Sequence, residues 1–177
     1  MDGFKTWLES TEKVMFLIRG PSGTGKSTLS STFGGEVFST DDYFGTEPEE
    51  YQQNFSAEKL PEAHQWNINR VAEAMQRGVS PIIVDNTMVQ AWEPKPYVLS
   101  ADKFGYETRI LEPQSDIWHS IKDMMQRKDQ AGLDTAAQEL AQRNKHGVPA
   151  DRIKDMFQQW EPNLTPDQIR ASRMPWE

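Results

Sequence analysis

The sequence predicts an α/β fold, a parallel sheet covered by helices on both faces, and three observations predict it. Short apolar runs at 14–19, 36–39, 81–85 and 106–111 alternate with longer amphipathic stretches, and strands alternating with helices imply parallel pairing through crossovers. The first run, Val14-Met15-Phe16-Leu17-Ile18, is apolar at every position, as a strand buried on both faces requires. It leads directly into Gly20-Pro21-Ser22-Gly23-Thr24-Gly25-Lys26-Ser27-Thr28, which satisfies G-x-x-x-x-G-K-[ST] in a strand, loop, helix context.

The elements follow in order. Residues 1–12 carry Phe4, Trp7 and Leu8 at helical spacing, which predicts a short helix on the sheet edge. A helix is expected from Lys26 to just before Gly34-Gly35, and the second strand runs into Thr40-Asp41-Asp42-Tyr43. The acidic stretch 44–55, with Pro48, reads as a surface excursion. Ser56 is placed to cap a helix running to Arg77, with Leu60, His64, Asn67, Val71 and Met75 on one stripe and Gly78 ending it. After the third strand a helix is expected over 94–104, then Gly105 and the fourth strand.

Beyond Pro113 the pattern is helical only. Ile117, Trp118, Ile121, Met124 and Met125 form one amphipathic face, 133–144 a second helix, and Ile153, Met156, Phe157 and Trp160 a third. Thr165-Pro166-Asp167-Gln168 is a capping box with proline at the first helical position. The chain therefore reads as one domain over 1–177, with a core of about 13–113 and a helical remainder of about 114–177.

Composition bounds the function. At 177 residues a sizeable core is affordable, and with no cysteine there is neither a disulfide framework nor a thiolate metal site. The longest apolar run is the first strand, too short to span a membrane, and it ends in the glycine loop instead of a cleavage site. No membrane association is expected, and an intracellular, cytoplasmic or nuclear protein is. A net charge of −8 argues against broad nonspecific attachment to nucleic acid, though not against gripping one strand end.

The glycine loop predicts binding of a nucleoside triphosphate. Gly20, Ser22, Gly23, Thr24 and Gly25 would turn backbone N–H groups toward phosphate, joined by the helix start at Lys26, Ser27 and Thr28. Lys26 would reach the β- and γ-phosphates, and Ser27 would ligate Mg²⁺. Ligands in such sheets collect at the carboxyl ends of strands, where the second strand delivers Asp41 and Asp42 and the third delivers Asp85, Asn86 and Thr87. Asp41 is the candidate general base for an attacking hydroxyl, with Asp42 as a cap or loop bond. Asp85 stands open between metal surroundings, substrate contact and loop anchor. The bend 142–149, with Gly147 and Pro149, could close as a lid that brings Arg143 to phosphate, with Lys145 and His146 beside it. Trp92, Lys95 and Tyr97 could grip a nucleotide substrate or belong to the core. Trp66 and Trp118 read as packing, and Lys122, Arg127 and Lys128, interleaved with aspartates, as a solvated face.

Together RGPSGTGKST (19–28), STDDYF (39–44), AHQWN (63–67), PIIVDNT (81–87), WEPKPYV (92–98) and RNKHGVP (143–149) make the chain resemble the 5′-hydroxyl polynucleotide kinase family. The resemblance implies a P-loop fold with a four-stranded parallel sheet of the adenylate-kinase type and a helical lid. It also implies ATP and Mg²⁺ as cofactors and the 5′-OH end of RNA or DNA as acceptor. A monomer is expected. Asp41 matches the family's general base, Lys26 and Ser27 its phosphate and metal residues, and Arg143 a lid arginine. Two departures stand out. Phe44 occupies the place of an arginine that contacts substrate phosphate in the phage enzyme, and a second lid arginine is replaced by Lys145 or His146. The paired His-x-Thr elements of the family's cyclic phosphodiesterase relatives are absent. The bland alternatives are a kinase of a small hydroxylated metabolite or nucleotide sugar, and a nucleotide-binding interaction module without turnover.

Overall fold

The four strands pair in parallel in the order β2-β3-β1-β4, with β1 Val14–Ile18, β2 Glu36–Phe38, β3 Ile82–Asp85 and β4 Glu107–Leu111. The computed structural model describes residues 12–177, so the helix expected around Phe4, Trp7 and Leu8 lies outside the described residues. Successive side chains of a strand point to opposite faces, and β1 uses both. Met15 and Leu17 enter one apolar cluster with Val71, Val98 and Ala101, while Val14, Phe16 and Ile18 enter another with Phe33 and Ile83. That two-sided burial explains why the run has no polar position.

Register aligns the strand ends. Ile18 lies opposite both Asp85 and Leu111, and Phe38 lies opposite Val84. The chain leaves β1 toward one edge of the sheet and leaves β3 toward the other, which opens a crevice at their carboxyl ends.

The helices are α1 Lys26–Ser30, α2 Pro48–Asn54, α3 Leu60–Gln76, α4 Lys95–Phe104, α5 Asp116–Arg127, α6 Gln130–Arg143, α7 Ala150–Gln159 and α8 Pro166–Ala171. Four differ from expectation for identifiable reasons, α1, α2 and α3 among them. Helix α1 stops at Ser30, short of the glycine pair. The hydroxyls of Ser31 and Thr32 bond back to the carbonyls of Thr28 and Leu29, and the backbone tightens into three-residue turns. The stretch expected as a surface excursion is helix α2, with Pro48 in its first turn and Tyr51 buried against Phe44 and Ala63. Ser56 starts only the 3-10 turn Ala57–Lys59, and α3 begins at Leu60. A helix capped at Ser56 would place Pro61 in its interior, where a missing N–H breaks the ladder, whereas at Leu60 the proline falls in the first turn.

Helices α5, α6 and α7 bury a separate apolar cluster that includes Trp118, Ile121, Leu140, Ile153 and Phe157. Helix α6 starts earlier than the apolar pattern predicts, because the Asp129 side chain accepts from Gly132 N at 2.9 Å. This helical layer is fastened to the sheet by Arg19, directly after β1. Its guanidinium donates to the carbonyls of Met88, Val89 and Glu161, each at 2.8 Å, and lies 3.8 Å over the Trp160 ring. The capping box at Thr165 and Gln168 forms as expected and starts α8. Among the described residues, no helix is long and apolar enough to cross a membrane.

Candidate active site

The loop between β1 and α1 is held from several sides. Gly20 N donates to Thr87 O at 3.1 Å, Thr24 Oγ1 to Pro21 O at 2.7 Å, and Ser115 Oγ to Thr24 O at 2.7 Å. Gly25 caps α1 at φ +102, and Gly23 at φ +83 lies so close to α6 that a Cβ there would meet Leu140 O at 3.0 Å. Both positions require glycine. Ser27 and Thr28 are exposed on the first turn of α1, Ser22 is half-buried and Thr24 is buried. Lys26 curls back over the loop, with Nζ donating to Pro21 O at 3.2 Å. Burial pulls its pKa down, and the charges of Asp85 and Asp41 oppose that shift.

Asp85 ends β3 beneath this lysine and is 8% exposed. Ser30 Oγ donates to it at 2.6 Å. Burial pushes its pKa up, while Lys26 and the Ser30 hydrogen bond pull it back. It therefore anchors α1 and balances the charge of Lys26. Asn86, expected at the substrate, turns inward: Oδ1 accepts from Thr40 N at 2.9 Å and Nδ2 donates to Tyr97 Oη at 3.3 Å. It fixes the turn that carries Asp41. Thr87 contributes its carbonyl to the glycine loop. The substitution Asn86→Ala leaves the Thr40 N–H without that partner. Its expected cost is about 1–3 kcal/mol in a denaturant titration.

The two aspartates after β2 separate. Asp42 accepts from Ser39 N at 3.4 Å and from Arg70 Nη1 at 3.3 Å, completing a capping box that starts the 3-10 turn Thr40–Phe44. Asp41 instead meets groups from four other elements. His146 Nε2 lies 3.3 Å from Asp41 Oδ2, and Tyr51, His64 and Lys26 all feel its charge. His64 Nδ1 lies 3.4 Å from Thr40 Oγ1. Its ring is exposed to solvent, yet surrounding protein pulls its pKa down and Asp41 opposes the shift. His64 thus stands beside the turn that carries Asp41.

The lid residues divide. Leu140 sits over Gly23, but Arg143, three residues on, stays at the rim, 3.5 Å from Glu139. Lys145 is exposed. His146 is the lid residue that reaches Asp41, and its bend is braced by Asn144, which accepts from Val148 N at 2.8 Å and donates to Leu140 O at 3.0 Å.

The structure takes other expected residues away from the cleft. Trp92 packs edge-on against Trp176 at 5.9 Å and donates to Gln90. Lys95 Nζ donates to Ser172 O at 2.5 Å. Tyr97 is 2% exposed and accepts from Asn67 at 3.0 Å. These three serve the core and the C-terminal segment because α4 packs against α8. Phe44 is 1% exposed and packs on Tyr51 and Phe55, so no side chain at that place grips a substrate. Tyr51 and His64 are the cleft residues that sequence reasoning missed. Helical periodicity assigns a side to a residue without saying whether that side meets core or cleft.

Residues 15–163 match the AAA domain family. Human NEDD4-binding protein 2 is 38% identical over 167 residues, covering 92% of this chain, and the chain spans 8% of that protein's length. A solved chain from the PezAT chromosomal toxin-antitoxin system of Streptococcus pneumoniae aligns with a TM-score of 0.44 at 14% identity, over 96% of this chain and 90% of that one. The family match takes in the glycine loop, the Asp41 turn and the bend at 143–149. The chain belongs to the AAA domain family, as a nucleotide-binding P-loop domain of kinase-like build.

Proposed function

We propose that this domain is an ATP- and Mg²⁺-dependent polynucleotide 5′-hydroxyl kinase. The observation that carries the reading is Asp41: an aspartate free of its neighbour's capping role and within electrostatic reach of the phosphate-loop lysine. The loop suits a polyphosphate, since its left-handed glycines expose backbone without side-chain interference and Lys26 already lies along it. Ser27, exposed on the first turn of α1 with Asp85 behind it, would hold Mg²⁺, which supplies charge neutralisation on the phosphates.

In the proposed step the acceptor hydroxyl attacks the γ-phosphorus of ATP and gives its proton to the Asp41 carboxylate. The new O–P bond forms as the bond from γ-phosphorus to the β,γ-bridging oxygen breaks. ADP leaves with that electron pair. Lys26 stabilises charge on the transferring group. Arg143 reaches the same group by releasing Glu139, an exposed pair of about 0.3–0.5 kcal/mol that holds it only weakly. Arg143→Ala is expected to lower turnover by about 10³, the scale of an arginine at a transferring phosphoryl group. An unchanged rate would assign Arg143 to the surface.

The burial of Phe44 favours a second reading, a kinase of a small hydroxylated acceptor that needs no grip on a polynucleotide phosphate. The test offers γ-labelled ATP with 5′-OH RNA, 5′-OH DNA, mononucleotides and sugars in separate reactions. Label at oligonucleotide 5′ ends is the expected result. Label only on small acceptors would establish the second reading, and no label on any would leave a binding module.

A further inference from the structure

We propose that His146, carried on the lid bend, positions Asp41 by donating a hydrogen bond from Nε2 to its carboxylate. The inference rests on Asp41 being the base and adds what orients it.

Three elements meet at this carboxylate. The 3-10 turn after β2 supplies Asp41, α2 supplies Tyr51, and the bend after α6 supplies His146, with Nε2 3.3 Å from Oδ2. The tautomer follows from the other side of the ring. Nδ1 of His146 is buried with no hydrogen-bond partner among the described residues. A proton there would be an unpaired buried donor, whereas a bare lone pair is cheaper to leave unmet. The proton therefore resides on Nε2, facing Asp41. The Tyr51 ring lies 4.3 Å from the imidazole between centroids and fixes its plane. The Tyr51 hydroxyl stays protonated, since burial first and the Asp41 charge second push its pKa up. A carboxylate has about four lone-pair positions, so a donor from His146 leaves room for an acceptor hydroxyl.

The arrangement ties the base to the phosphate loop. Leu140 lies over Gly23, and Asn144 braces the bend to the Leu140 carbonyl at one end and to Val148 at the other. A single braced piece thus touches the nucleotide loop through Leu140 and the base through His146. Asp41 is oriented by the segment that covers the phosphates.

The two side-chain properties of His146 separate by substitution. His146→Phe keeps a ring against Tyr51 and donates nothing, while His146→Gln loses the ring and keeps a donor at similar reach. The measurement is steady-state transfer from γ-labelled ATP to a 5′-OH oligonucleotide. His146→Phe is expected to lower kcat by roughly tenfold, with the KM for ATP within about twofold, and His146→Gln to recover kcat to within about threefold. A wild-type kcat for His146→Phe, or equal losses in both variants, would overturn the donor role. If Asp41→Asn turns over normally, another group is the base and the assignment of Asp41 falls together with this inference; if no label reaches any acceptor, the kinase reading fails; if Asp41→Asn is dead and His146→Phe is normal, only the present inference fails. Should His146→Phe not fold, imidazole ¹⁵N shifts of the wild-type domain decide. The Nε2–H tautomer is expected, and the Nδ1–H tautomer would leave nothing to donate and overturn the proposal.

Discussion

Asp41→Asn is expected to lower transfer to a 5′-OH acceptor by about 10²–10⁴, the usual contribution of a positioned proton acceptor. ATP affinity should hold within about threefold, because the phosphate loop takes its shape from other bonds. Gly20 is held by Thr87, Thr24 by Ser115, and Lys26 by Pro21. The amide keeps the size of the carboxylate, so the turn should survive, its capping box being built by Ser39 and Asp42. Loss of a negative charge near Lys26 also favours, if anything, the bound triphosphate. A large drop in kcat with nucleotide binding intact therefore isolates the proton transfer. Parallel loss of both would instead make Asp41 part of the nucleotide site.

Arg19→Met is expected to destabilise the fold by about 3–5 kcal/mol, the range for removing one member of a buried charged network. Arg19 is 1% exposed and joins β1 to two distant segments through three carbonyls and the Trp160 ring. Burial lowers its pKa to about 10, against the opposing charges of Glu112, Glu93 and Glu161, so it is still a cation at neutral pH. Methionine fills similar volume but leaves three carbonyls unpaired and nearby carboxylates uncompensated. For a chain of this size the midpoint of thermal unfolding should fall by about 10 °C. Arg19→Lys should recover little, because an ammonium cannot reach three carbonyls with the planar fork that a guanidinium offers. A shift below about 1 °C in Arg19→Met would remove this residue as the fastening between sheet and lid.

Much of this fold was legible because the sequence pattern had one physical solution. The apolar run of β1 followed by a glycine loop admits only strand, loop and helix, and the Thr165 capping box located the start of α8. Asp42 as a cap was readable from its spacing to Ser39. The rest was hidden for specific reasons. Acidic composition disguised α2, whose docking depends on Tyr51 and on the distant Phe44 and Ala63. Trp92, Lys95 and Tyr97 had the chemistry of a nucleotide grip, but their packing against α8 and the C-terminal segment is a long-range fact that local pattern does not carry. Asn86 looked like a substrate contact because it follows a strand at the cleft, but in the fold it turns toward Thr40 and Tyr97. His146 was visible as part of a lid bend, though its partner, Asp41, lies far away in sequence.

The central claim is that the Asp41 carboxylate faces the position of the γ-phosphate with space for an incoming alcohol. A crystal structure of the domain with a non-hydrolysable ATP analogue, Mg²⁺ and a short 5′-OH oligonucleotide tests it directly. The account predicts an Asp41 carboxylate oxygen at about 2.6–3.2 Å from the 5′-oxygen, with His146 donating to the same side chain. A 5′-oxygen seated beyond reach of Asp41, or that carboxylate turned out of the nucleotide cleft, would contradict it.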